Sequence, residues 1–205
     1  MMKNKNPEPT GQQTVKLKTN WQLARSLMAS HYVAVIFCLI ICVGFLSAFN
    51  ENIPAMVAVG IASLVMYILF LYAPAWKQGN DDWNKVNFGR READKLRGLK
   101  IGFLAMIPNI VLSVLILLAK AELLPNFYVV YKLLNGHLLV MANLIDGTAQ
   151  GVLTAYLTEV DWWRLIVVCI MNCTVTMIIS AVGYFIGYKN LLVMDKLVYK
   201  KKQNK

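Results

Sequence analysis

Between Tyr32 and Phe49 the sequence runs for eighteen residues without a charged side chain. Three further apolar runs follow at about 53–76, 101–119 and 163–188, and only Arg164, at the edge of the last, interrupts them with a charge. A helix rises ~1.5 Å per residue, so the shortest run covers about 27 Å of a hydrocarbon core roughly 30 Å thick. In lipid every backbone N–H and C=O needs a partner within the chain, and a helix supplies one inside each run. The expected fold is therefore all-α. It is a polytopic integral membrane bundle of four transmembrane helices, with short interfacial or re-entrant helices between the third and fourth. Composition agrees, since 58% of the 205 residues are hydrophobic and only 16% charged, which is too apolar for an ordinary soluble domain.

Orientation follows from the segment Trp76–Lys100, which carries seven Lys/Arg against four acids between two of these runs. A short basic loop so placed is expected on the cytoplasmic face. With both termini on that face, eighteen Lys/Arg lie inside and three (Lys120, Lys132, Arg164) outside. The expected location is thus the cell membrane, multi-pass, with N- and C-termini cytoplasmic. The net charge of +10 is concentrated at the flanks of the apolar runs, where basic residues meet anionic lipid headgroups. That placement argues against nucleic acid as a partner.

Taken in order, residues 1–16 are polar and carry two prolines, which predicts a disordered cytoplasmic N-terminus. From Leu17, the residues Trp21, Ala24, Leu27 and Met28 share a helical face, so 17–31 reads as an amphipathic interfacial helix, or as an extension of the first span. The membrane domain covers 32–188, with Asn50–Asn52 a tight turn and Pro54 at the first position of the second span. Arg90–Lys100 alternates in sign at helical spacing and predicts a cytoplasmic extension of the third span, with Asp94 and Arg97 as neighbours. Pro108 interrupts the third span, with Asn109 and Ser113 near enough to serve the backbone group it leaves unbonded. Residues 126–145 are apolar but broken by Lys132, Asn135-Gly136, His137 and Asn143. Asn-Gly is a turn signal, and two short helices at about 127–134 and 138–145 are expected at the outer interface or dipping in as a re-entrant pair. A further helical stretch at about 149–158 leads to the last span, and 189–205 is a basic cytoplasmic tail.

Small and polar residues mark two helix-packing stripes. Gly98, Gly102, Ala105, Asn109 and Ser113 recur on the third span, and Thr176, Ser180, Gly183 and Gly187 on the fourth. Antiparallel register predicts Gly102 beside Gly187, Ala105 beside Gly183, Asn109 beside Ser180 and Ser113 beside Thr176. Such stripes are read as ordinary helix packing, admitting close backbones and hydroxyl bonds across the seam, with a polar path through the bundle as the alternative. Arg90, Arg91, Lys200, Lys201 and Lys202 are the expected headgroup contacts. Cys38/Cys42 and Cys169/Cys173 each share a helix face, but their depths differ, so they read as small apolar packing residues and not as a metal site. His31 and His137 are lone interfacial histidines without ligand spacing, and the spans carry no buried ionisable group. No phosphate loop, HExxH or GxSxG pattern is present, and no catalytic residue, metal or cofactor is expected.

The function expected from the sequence is a small non-catalytic membrane protein, an accessory or interaction subunit with a membrane-protein partner. One alternative is a transport component that oligomerises around an axis lined by Asn109, Asn172 and Thr176. Another is a lipid-headgroup enzyme using Asp81 and Asp82 with a cation.

Overall fold

The computed structural model describes residues 18–46, 52–146 and 157–189. Four helices are long and apolar enough to cross a membrane: α1 (Asn20–Leu46), α2 (Ile53–Asn87), α3 (Arg97–Lys120) and α6 (Trp162–Tyr188). Between α3 and α6 lie α4 (Tyr128–Leu134), a 3₁₀ turn (Gly136–Leu138), α5 (Leu139–Asp146) and a second 3₁₀ turn (Leu157–Glu159). The fold is an all-α bundle. The disordered N-terminus expected at 1–16, the turn residues Asn50 and Glu51, most of the 149–158 stretch and the tail beyond Lys189 fall outside the described residues.

Helix α1 passes unbroken through position 32, so 17–31 does not form a separate surface helix. Ala24, Leu27, His31, Ala34, Cys38 and Cys42 recur at steps of three and four, and all are buried. This one stripe faces the bundle along the whole of α1, while Trp21, Ile36, Phe37 and Ile40 face outward. Helix α2 starts as its sequence predicts, with the Asn52 side chain accepting the Ala55 N–H at 3.1 Å and a proline in the first turn. It then continues through Pro74 for eleven residues beyond Trp76. Gly89, at φ +65°, stops it, a conformation that costs glycine nothing.

The predicted helix over Arg90–Leu96 is absent, because the loop keeps its own bonds. Asp94 accepts the Leu96 N–H at 3.0 Å, a local turn that competes with helix, and α3 begins at Arg97. Asp94 pairs with Lys100 at 2.9 Å and not with Arg97. Helix α3 runs through Pro108, but Asn109 and Ser113 direct their side chains to other elements and do not repair the backbone there.

The seam residues settle in a different register from the one expected. Gly98 lies against Tyr184, and Gly102 against Ser180, whose hydroxyl donates to the Gly98 carbonyl at 3.3 Å. The α3–α6 pairing is therefore displaced by seven residues, about two turns, since Gly102 meets Ser180 and not Gly187. Gly183 and Gly187 face α2 instead, Gly183 against Ala75 and Gly187 against the Trp76 carbonyl. Gly79 on α2 meets the Tyr184 carbonyl in the same way, so a Cβ at Gly79 or Gly187 would overlap backbone of the other helix. Glycine here permits a contact between helix backbones that no side chain can enter.

Helices α3 and α6 are antiparallel, and the Lys120 ammonium donates to the carbonyls of Leu157 and Thr158 at 2.8 and 3.0 Å. The 120–162 segment thus leaves and rejoins the bundle at one end, the far end. The α4–α5 pair bends by 90°, and arms of seven and eight residues, about 10–12 Å each, are too short to cross. Such a bend belongs to a broken span or a re-entrant loop, and the return of the segment to the far end fits the re-entrant course. At the opposite end, the basic end, Arg97 binds the Lys18 carbonyl and Asn20, while Tyr184 binds Asp82. Both ends of the described chain therefore lie at the same end of the bundle as the 88–96 loop.

Candidate functional site

The re-entrant turn carries Asn135, Gly136 and His137 into the space between α1, α2 and α3. A Cβ on Gly136 would overlap the Leu39 side chain, so glycine lets the turn approach α1 without Leu39 having to move. Cys42 Sγ donates to the Gly136 carbonyl at 3.8 Å and Cys38 Sγ to the Ser63 carbonyl at 3.3 Å. All four cysteines are free thiols, three of them buried.

Around this turn the four long helices each contribute polar side chains. Asn109 Nδ2 donates to Asn135 Oδ1 at 3.0 Å and lies 3.2 Å from His31 Nε2. With the amide so oriented, neutral His31 accepts at Nε2 and carries its proton on Nδ1. That proton points at the Tyr67 hydroxyl, 2.6 Å away, and Tyr67 in turn donates to Thr176 Oγ1 at 2.5 Å. The result is a chain of donors running Asn109, His31, Tyr67, Thr176 through three helices besides the one it starts from. His137 stacks on the Tyr67 ring (centroids 3.9 Å, 17°) and meets His31 edge-on at 5.5 Å. His31, Tyr67, Asn109 and Thr176 stand about 17–22 Å from the far ends of their helices, deep in any bilayer the bundle spans.

Three further polar knots adjoin this one, two toward the far end and one toward the basic end. Toward the far end, Tyr131 OH lies 3.1 Å from Ser113 Oγ and accepts from Asn172 Nδ2 at 3.0 Å. Beyond it Lys132 and Asp146, both almost wholly buried, form an ion pair at 2.6 Å. Asn143 accepts from the same ammonium at 2.9 Å, and the Tyr128 hydroxyl donates to the same carboxylate at 2.8 Å. Toward the basic end Asp82 is the hub. Arg97 and the Tyr184 hydroxyl (2.9 Å) reach Oδ2, while Lys85 (3.3 Å) and Arg91 (3.7 Å) reach Oδ1. On α6, Asn172 of the far-end knot lies one turn, ~6 Å, from Thr176, whereas Tyr184 of the basic-end knot lies about two turns, ~12 Å, from it.

Several expectations are corrected by this arrangement. His31 and His137 are not interfacial but fully enclosed, and outside the four expected spans Lys132, Asp146, Asp82 and Arg97 are buried ionisable residues as well. The signal for His31 lies in the α1 stripe, which continues through it. The signal for the 135–137 turn lies in the polar breaks of an otherwise apolar segment. Asn109, Asn172 and Thr176 all point into the core of a single chain, each no more than 1% exposed, and do not line an outer surface where an oligomer axis would run. Asp82 faces inward while Asp81 is exposed, so the adjacent acids do not present a shared open site. Arg91 turns to Asp82; Arg90 is exposed beside Phe88. Lys200, Lys201 and Lys202 fall outside the described residues. Among the described residues no three His, Cys, Asp or Glu side chains gather as they must to hold a metal ion.

Among the described residues, both ring nitrogens of His137, Asn109 Oδ1 and Ser63 Oγ around the middle knot, Asn172 Oδ1 and Asn143 Nδ2 toward the far end and Arg91 Nη1 at the basic end are buried without a protein hydrogen-bond partner. An orphaned polar atom in a dry interior costs about 1–3 kcal/mol. No family model matches the chain, and no curated protein or solved structure matches it.

Proposed function

We propose that this chain is a small membrane transport component whose own four-helix core carries protons across the bilayer. The observation behind the reading is His137, fully buried at the tip of a re-entrant turn, with both ring nitrogens unpartnered and the His31–Tyr67–Thr176 donor chain against its face. Intramembrane ionisable residues facing a bundle interior are by default parts of ion or proton pathways. Each group in the row (carboxylate, phenol, imidazole, hydroxyl) both takes and gives a proton. In this reading the basic face is cytoplasmic, and the protein resides in the cell membrane with both termini inside. Reconstituted alone into vesicles with an imposed pH gradient, the chain is expected to collapse that gradient faster than protein-free vesicles. Equal persistence in the two refutes the reading.

A second reading, an accessory subunit without transport activity, is favoured by one observation. The row is closed at both ends by buried ion pairs, Lys132–Asp146 and Arg97–Asp82, as in a static bundle. Purification in mild detergent with a single stoichiometric membrane-protein partner, combined with no flux from the chain alone, is its signature. A headgroup enzyme finds less support, because Asp82 already has four polar partners.

A further inference from the structure

We infer that a cleft of about 290 Å³ at the basic end, between α2 and α6, binds the headgroup of an anionic phospholipid. Its walls include Trp83 from α2, Lys95 from the 88–96 loop, and Tyr184, Phe185, Tyr188 and Lys189 from the end of α6. None of the described residues lining it is acidic. The nearest carboxylate reached by a lining residue is Asp82, which Tyr184 touches and which Arg97 already neutralises. Two ammonium groups in an aromatic-walled cleft, neither ion-paired among the described residues, therefore offer positive charge at the level where interfacial aromatics sit.

The neighbouring surface says which anion fits. Ile178, Val182 and Phe185 follow one another at steps of four and three along α6, and all are strongly exposed. This apolar stripe runs along the outward face of the helix and ends at the cleft. At that point the Lys189 ammonium sits 4.4 Å from the Phe185 ring centroid. An acyl chain laid along the stripe brings its phosphate to Lys95 and Lys189, with the Tyr188 hydroxyl as a further donor near by. Soluble phosphate would gain the lysines alone and none of the apolar contact. The ligand class is thus an amphiphile with an anionic head. This site is independent of any flux through the core.

The test uses the full chain in mild detergent, titrated with short-chain phosphatidylglycerol or phosphatidylcholine while thermal unfolding is followed. Phosphatidylglycerol is expected to raise the melting temperature saturably, and phosphatidylcholine is not. Lys95→Gln and Lys189→Gln should each weaken the apparent affinity roughly fivefold, with the lipid-free melting temperature kept. Arg25→Gln, exposed on α1 and outside the cleft, should leave the affinity unchanged. Equal responses to the two lipids, an equal response to inorganic phosphate, or unchanged affinity in the double variant would each overturn the inference. So would a response that appears only after residues 190–205 are removed, since the chain's own tail would then be the occupant.

Discussion

Replacing Asp82 by Asn keeps the size of the side chain and removes only its charge. Arg97 is then left 1% exposed with no counter-ion, and Lys85 and Arg91 lose the group that draws three cations together. Breaking a buried ion pair by removing one member typically costs about 3–5 kcal/mol. Arg97 keeps two acceptors, Asn20 Oδ1 at 2.8 Å and the Lys18 carbonyl at 3.1 Å, which places the expected loss at the lower end, about 3 kcal/mol. The companion variant Asp82→Leu with Arg97→Met removes both fully buried charges together and leaves only the partly exposed Lys85 and Arg91 without the carboxylate. It should be clearly more stable than Asp82→Leu alone, with a coupling energy of at least about 2 kcal/mol. Unfolding in mixed micelles followed by far-ultraviolet circular dichroism measures each corner of the cycle. A loss below about 0.5 kcal/mol for Asp82→Asn, or a double variant no better than the worse single one, would show that Asp82 does not clamp the basic end.

Other perturbations separate packing from polarity. Gly187→Ala forces a methyl group onto the Trp76 carbonyl and should destabilise by about 1–3 kcal/mol, whereas Gly44→Ala, with nothing within 4 Å of its Cβ, should be neutral or slightly stabilising in the same unfolding assay. Tyr67→Phe deletes the hydroxyl between His31 and Thr176 and should cost about 1–3 kcal/mol while leaving the His137 stacking partner in place. Asp94 lies outside the spans, and its carboxyl is held below the usual range, chiefly by the Lys100 ammonium that donates to it. A lowered carboxylate pKa stabilises the fold above the unfolded value and loses that effect as pH falls through the folded one. The pair is exposed, so Asp94→Asn should change stability by under about 1 kcal/mol at neutral pH and slightly flatten the acid limb of a stability–pH curve.

The four spans are legible in the sequence because nothing but a helix satisfies the backbone of eighteen apolar residues in lipid, and Asn135-Gly136 betrays the re-entrant turn. The boundary between α2 and α3 is not legible. Charge alternation over Arg90–Lys100 has a helical look, yet Gly89 and the Asp94 side chain override it locally, and the helix is gained by α2 instead. The core is obscured for a related reason. Starting the first span at Tyr32 puts His31 at the interface, although Ala24, Leu27, His31 and Ala34 show one continuous face. The partners of Asn109 and Thr176 are unreadable, since both bond to residues on elements other than the one facing them in a two-helix register. Which helix Gly183 and Gly187 touch likewise depends on the placement of α2, which periodicity along α6 cannot give.

That protons cross inside one chain is tested most directly by the initial rate of gradient collapse in proteoliposomes at increasing protein-to-lipid ratio. Native chain and a His137→Phe variant of matched stability are compared. A path within the monomer predicts a rate proportional to the number of chains, with the slope abolished by the substitution. A rate rising as a higher power of chain number, or a slope that His137→Phe leaves intact, would contradict it.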